Sequence, residues 1–280
     1  RALAAELDVE VAPIQHHHAH VAACLAEHGR EGPALALVLD GSGHGADGTV
    51  WGGELLHADL RSAKRLGRLR PVGLVGGDRA ASEPWRSAVA HLVDAGLPVV
   101  VPGVEPAKLE AVAELARKRV AAPLASSAGR LFDAVAALTG VRTERGYEGQ
   151  AAQLLEAAAR GEGEPYRFAV TASGEGGLIE VDTRPIIEDV ARAARERPAA
   201  EVSARFHATL AAALVALVEA AVIEARTVVL AGGCFQNRRL LALVEAGLAA
   251  RGFAVLYPRS VPAGDGGLSL GQAAIAAARR

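Results

Sequence analysis

VVLAGGCFQNRRLLALVEAGLAARGFAVLY, residues 228–257, decides the architecture. Val228 to Ala231 is a short apolar run closed by Gly232 and Gly233, which reads as a buried strand and a turn. Asn237 to Arg251 reads as a helix, and Phe253 to Tyr257 as a second strand. A final helix is predicted over Leu268 to Ala278. Strand, turn and helix repeated in this way indicate a parallel α/β sheet.

Working outward, ALALVL at 34–39 ends at Asp40, and a glycine-rich turn precedes a second apolar run from Thr49 to Leu56. That pattern predicts strand, turn and strand. Leu66 to Leu74 supplies a third strand. Helical periodicity marks Leu109 to Val120 and Leu131 to Leu138. Gly146 to Ala159 reads as a turn and a helix, and Phe168 to Val181 as a hairpin around Gly174, Gly176 and Gly177. Helices are predicted over Ile186 to Arg195 and Ser203 to Glu224. Proline and glycine near residues 161–165 mark a lobe boundary.

Composition excludes some classes. The net charge of −2 gives no basic excess for a nucleic-acid backbone, and the aromatic content of 4% favours no RNA-stacking surface. The longest apolar stretch, Leu210 to Ile223, is interrupted by Glu219, so no membrane span is expected. Two cysteines, Cys24 and Cys234, form no C-x-x-C pair and fit a reducing cytoplasmic setting. The chain opens on Arg1 rather than methionine, with no signal peptide, which predicts native sequence upstream.

Three clusters carry chemistry. In QHHHAH, residues 15–20, a helix starting near His16 puts His16 and His20 on one face at i and i+4. Two imidazoles so placed can hold one metal ion; an exposed polar helix start is the plainer reading. A zincin protease would have glutamate directly after the first histidine, where this chain has His17. The second cluster is a pair of glycine turns after strands, Asp40-Gly41-Ser42-Gly43 and Ala231-Gly232-Gly233. Such turns expose N–H groups to a phosphate, and Asp40 can hold a metal ion or its water. Their separation along the chain suggests two lobes closing on a nucleotide. The third is Asp265 between glycines, ahead of the last helix, either an N-cap or a third metal ligand.

These segments, with GGDRAASEPWR (76–86), SSAGRLFDAVAALTG (126–140), YEGQAA (147–152), AGGCFQNRRL (231–240) and GDGGLSLGQAA (264–274), resemble the HypF family of hydrogenase-maturation carbamoyltransferases, in family order. The resemblance implies an α/β, two-lobed, actin-like and sugar-kinase-like (ribonuclease H-like) fold over residues 1–280. It is related to the enzyme that makes threonylcarbamoyladenosine in tRNA. Acylphosphatase-like, zinc-finger and adenylate-forming domains would lie upstream. The implied reaction is carbamoyl transfer from carbamoyl adenylate to the C-terminal cysteine of HypE, on the way to the cyanide ligand of NiFe-hydrogenase. The implied cofactor is one divalent metal, iron or zinc, with ATP or carbamoyl adenylate as nucleotide. The implied partners are the HypE tail and the upstream adenylate-forming domain.

By the same resemblance, His16, His20 and Asp265 are metal ligands, and Asp265 can also cap; Asp40 lies beside the metal. Asp133 and Glu148, with Gly149, face the ribose, although Asp133 alone reads as an exposed helix carboxylate. Gly41, Ser42, Gly43, Gly232, Gly233 and Asn237 hold nucleotide. His44 stands where the family often has tyrosine, Gly264 where it has asparagine, and Cys234 where it has valine. Competing readings are a kinase or ATPase of the same superfamily, in which Asp40 is a base and no histidine cluster is needed, and a non-catalytic nucleotide-binding docking module.

Overall fold

The computed structural model describes residues 6, 11–171 and 177–280. Helix α1 (His16–Glu27) leads into β1 (Ala34–His44), β2 (Val50–Ala58), β3 (Ala63–Leu69) and β4 (Val72–Gly73). Helices α2 (Asp78–Ser82), α3 (Pro84–Asp94) and α4 (Pro106–Lys118) follow, then β5 (Leu124–Ala125), α5 (Ala128–Leu138) and α6 (Gln150–Ala158). The hairpin β6 (Ala169–Thr171) and β7 (Ile179–Asp182) precedes α7 (Arg184–Glu196) and α8 (Ala199–Ala220). The chain closes with β8 (Thr227–Ala231), α9 (Arg238–Ala249), β9 (Ala254–Leu256) and α10 (Leu268–Ala278). Gly174 and Gly176 of the expected hairpin lie outside the described residues.

The described strands join in one mixed sheet, ordered β6-β7-β3-β2-β1-β8-β9, with β5 beside β2 and β4 beside β5. The described strands make one continuous sheet. The join is β1, which pairs antiparallel with β2 and parallel with β8. It thereby stitches the early strands to the late parallel unit.

Side-chain alternation along β1 divides the core. Leu35, Leu37 and Leu39 enter a large cluster with α3, α5 and α8, including Trp85, Phe132 and Phe206. Ala34, Ala36 and Val38 point the other way, against Val21, Cys24 and Leu25 of α1. Helix α8 is long and apolar enough to cross a membrane by length and composition, but 72% of its apolar window is buried inside this fold. It serves as the central core helix. Residues 161–165, expected as a boundary, lie against α8: a Cβ on Gly163 would run into the backbone of Arg205.

The third strand differs from expectation. It ends at Leu69 and resumes only at Val72–Gly73, because Pro71 has no N–H for the ladder. Helix α3 was not anticipated. Its residues Pro84 to Leu92 are all buried, Arg86, Ser87 and His91 included, so it shows no polar face to give a helical period.

Candidate functional site

Gln15 starts the site. Its Oε1 accepts from the N–H of His18 at 2.7 Å, capping α1, while its Nε2 donates to the carbonyl of His44 at 3.2 Å. The helix start is thus tied to the end of β1. Of the four histidines that follow, His18 turns away to the Asp59 carbonyl. His17 is fully buried against Trp51, and burial, with His16 adding, holds its pKa down to about 3. His16 and His20 face one another, Nε2 to Nε2, at 3.2 Å.

Asp40 completes this face, but not from a turn. On β1, Leu39 pairs with Gly53 and Gly43 pairs with Trp51, so four steps on β1 match two on β2. The expected glycine turn is a bulge in a strand that continues to His44, and the tight turn comes later, at Gly45–Thr49. A bulge re-aims side chains locally. Here it brings Asp40 Oδ2 to 3.2 Å from the Nε2 of both His16 and His20. Asp265 Oδ1 stands 3.5 Å from His16 and 3.6 Å from His20. The histidines hold the Asp40 carboxyl well below the usual carboxylate range despite burial, and Asp40 in turn raises the pKa of His16.

The four ligand atoms of His16, His20, Asp40 and Asp265 lie within 4.8 Å of one another. Ligands about 2.1 Å from a common tetrahedral or octahedral ion sit roughly 3.0–3.4 Å apart. The spacings among His16, His20 and Asp40, all 3.2 Å, fall in that range, and those from the histidines to Asp265, 3.5 and 3.6 Å, lie just beyond it. Two imidazoles and two carboxylates suit zinc or iron. Asp40 stands as near to the two histidines as a ligand of such an ion would, and nearer than Asp265. Asp265 makes no capping hydrogen bond in the short 3-10 turn Asp265–Gly267, so of its two expected jobs the cap is not made.

The second glycine turn lies beside the first. Gly232 has φ +96°, and a side chain there would run into the backbone of Leu39, so only glycine lets β8 approach β1 this closely. Its N–H donates to Ala263 at 3.1 Å, which anchors the Asp265 loop. A Cβ on Gly233 would sit 3.3 Å from Asp40 Oδ1, the oxygen that accepts from the Gly41 N–H at 2.7 Å. The bulge and the glycine turn, distant in sequence, are neighbours on adjacent parallel strands.

The remaining expected residues are spread more widely. Ser42 and Glu148 are exposed, and Gly149, at φ +75°, begins α6. Both polar side-chain atoms of Asn237 are engaged within the protein. Oδ1 accepts from Leu240 N–H at 2.8 Å, capping α9, and Nδ2 donates to His207 Nε2 at 2.9 Å. Asp133 is not the exposed helix carboxylate it resembled: it is 3% exposed in α5, and burial pushes its pKa up to about 6.

Sequence reasoning missed the supports behind these groups. Glu54, fully buried, accepts from Gly52 and Gly53 N–H, from Ser126 Oγ, and from Arg65 Nε at 2.6 Å. Arg65 also lies over Trp51, 4.2 Å from the ring centroid, and so backs the wall on which His17 rests. Ser127 caps α5 and donates to the Gly41 carbonyl. Ser126 and Ser127 open the SSAGRLFDAVAALTG segment, which was their only sequence signal; Arg65 had none.

Comparison with known proteins agrees with this architecture. A family profile described as "Carbamoyltransferase, Kae1-like Domain, second subdomain" matches residues 36–272. The chain is 46% identical to carbamoyltransferase HypF of Rhodobacter capsulatus, over 99% of this chain and 37% of that protein. It is 44% identical to carbamoyltransferase HypF2 of Cupriavidus necator, over 99% of this chain and 38% of the relative. A carbamoyltransferase HypF homolog of the same organism is 43% identical, over 98% of this chain and 73% of its own length. Among solved structures, full-length HypF in a phosphate- and nucleotide-bound form superposes with a TM-score of 0.90 at 34% identity, over 98% of this chain and 37% of that one. The chain thus spans 37–38% of the length of full-length relatives.

Proposed function

This chain belongs to the Kae1-like carbamoyltransferase family, and from that premise we propose that its site transfers a carbamoyl group from carbamoyl adenylate to a thiolate. The acceptor in this reading is the C-terminal cysteine of HypE, the setting is cytoplasmic NiFe-hydrogenase maturation, and neither nucleic acid nor membrane takes part. The adenylate would come from an adenylate-forming domain outside these residues.

One observation supports the reading most. Asp40 bridges the donor cluster and both glycine segments: Oδ2 faces His16 and His20, while Oδ1 holds the Gly41 N–H and lies against Gly233. A phosphate received by those glycines would therefore sit beside the ion. His16, His20, Asp40 and Asp265 would hold it, and a bound divalent ion supplies Lewis-acid stabilisation of charge on the leaving phosphate or the carbonyl. The Gly41–Gly43 bulge and the Gly232–Gly233 turn place the phosphate, and backbone N–H groups share its charge. The partner's sulfur forms the S–C bond to the carbonyl carbon, the bond to the phosphate oxygen breaks, and AMP leaves. No serine or cysteine of this chain is assigned as nucleophile. The half-buried Cys234 has its thiol pushed far above its ordinary pKa by loss of solvent around the sulfur.

The test mixes the chain with HypE and a separately purified adenylate-forming domain, then weighs the HypE C-terminal peptide. A carbamoyl adduct is expected, and it should vanish with His16→Ala/His20→Ala. No adduct with both parts present, when full-length enzyme makes one, would overturn the reading for this chain alone. An adduct formed from carbamoyl phosphate and ATP without the second domain would overturn the division of labour.

A further inference from the structure

Arg130 stands in the first turn of α5 with its side chain only 13% exposed. Its Nη1 donates to the Ala80 carbonyl at 3.5 Å. Nε has no partner among the described residues, and Arg130 lines a small cavity together with Ser87 and His91. The other edge faces forward. Nη2 is 3.0 Å from Asp133 Oδ2, yet that oxygen accepts no hydrogen bond. The guanidinium N–H bonds are therefore not aimed at the carboxylate, and Nη2 donates no hydrogen bond among the described residues.

Nη2 also lies beside the glycine bulge. It lies 3.7 Å from where a side chain on Gly41 would begin. The backbone of α5 is pressed against the same place: a Cβ on Gly129 would be 2.8 Å from the Gly41 Cα. Asp40, Arg130 and Asp133 all lie near enough to act on the Cys234 thiol, so the three charges converge at the Gly232–Gly233–Cys234 turn.

A purely structural arginine–carboxylate pair gains most by aligned, paired N–H···O bonds. Here a buried carboxylate oxygen is left without a hydrogen bond beside a guanidinium edge that has none to give it. Orphaned buried groups are costly and rare, and each asks for a partner. An anionic ligand over Gly41 would accept from the Nη2 N–H bonds; the Asp133 oxygen, itself an acceptor, takes nothing from it.

We propose that Arg130 is a substrate-binding residue whose Nη2 edge takes a phosphoryl oxygen of the nucleotide seated between the Asp40–Gly43 bulge and the Gly232–Gly233 turn. This rests on the nucleotide reading given above. Asp133 is then the positioning residue that keeps the guanidinium in place from behind.

Calorimetry on the 280-residue chain with AMP and with adenosine tests this in the parent, Arg130→Lys and Arg130→Gln. Arg130→Gln should weaken AMP about tenfold to a hundredfold, the range a charge-assisted hydrogen bond commands, and leave adenosine within about twofold. Arg130→Lys should fall between, since it keeps the charge and loses the planar fork. If Arg130→Gln does not fold, the double variant Arg130→Gln/Asp133→Asn removes both charges, and the ratio of AMP to adenosine affinity is read there. An unchanged ratio overturns the role of Arg130 while the nucleotide reading stands. Equal loss of both ligands means a structural role and overturns it too. A parent chain that binds neither ligand overturns the nucleotide reading and this proposal together.

Discussion

The Nε2 atoms of His16 and His20 lie 3.2 Å apart, one helical turn from each other, and Asp40 Oδ2 is equidistant from both. Three donors that converge on one point are expected to hold one divalent ion per chain. In the double variant His16→Ala/His20→Ala the metal content by elemental analysis should fall from about one per chain to none. Unchanged content would disprove the site.

Asp265 separates its two readings by energetics. Its side chain is 73% exposed and makes no capping bond, so Asp265→Ala should change the stability of metal-free protein by no more than about 0.5 kcal/mol. A true N-cap would cost about 1 kcal/mol. Metal affinity should drop in the same variant. Chemical denaturation of the chelated protein, alongside a metal titration, gives both quantities.

The glycine turn should divide in the same manner. Gly232→Ala strains φ and drives a methyl into Leu39, so the sheet itself should suffer, with loss of soluble folded protein or a large fall in Tm. Gly233→Val should fold, but its side chain meets Asp40 Oδ1 where the phosphate would approach. ATP binding should weaken markedly by calorimetry, and equal affinity in parent and variant would count against that approach.

Asp133 predicts a pH effect. Burial raises its folded pKa to about 6, above the ordinary 3.8. Between those values the folded chain keeps a proton that the unfolded chain has lost, so stability falls as pH rises through this window and is flat outside it. The full loss is about 3 kcal/mol. Asp133→Asn cannot ionise, so it should exceed the parent in stability at pH 7 and converge with it near pH 4. A parent that is the more stable at pH 7 would show that Arg130 dominates over burial.

What could be read in advance followed the physics of each segment. Helix α1 was predicted from His16 and α10 from Leu268 to Ala278, both as found, because glycine or glutamine marks their starts and apolar residues recur within them. The facing of His16 and His20 was legible because i, i+4 spacing is local. The bulge at Asp40 was not, since register depends on β2, where Gly52 and Gly53 leave room for it. Asp133 misled because a carboxylate in a helix is exposed far more often than buried, and only the packing of α5 against β1 and α3 decides otherwise. Asn237 was read with the nucleotide turn, whereas its partner His207 lies on α8, out of reach of any sequence pattern.

The donor set is uneven along the chain: His16, His20 and Asp40 fall within one early stretch, while Asp265 arrives 225 residues after Asp40. During synthesis, the first three donors leave the ribosome long before the fourth exists. They belong to α1 and β1, which already face each other through Val21, Cys24, Ala36 and Val38. If the set holds an ion, its assembly is divisible in time: Asp40 is aimed once β2 pairs with β1, which gives three donors, and the Asp265 loop would close the set last.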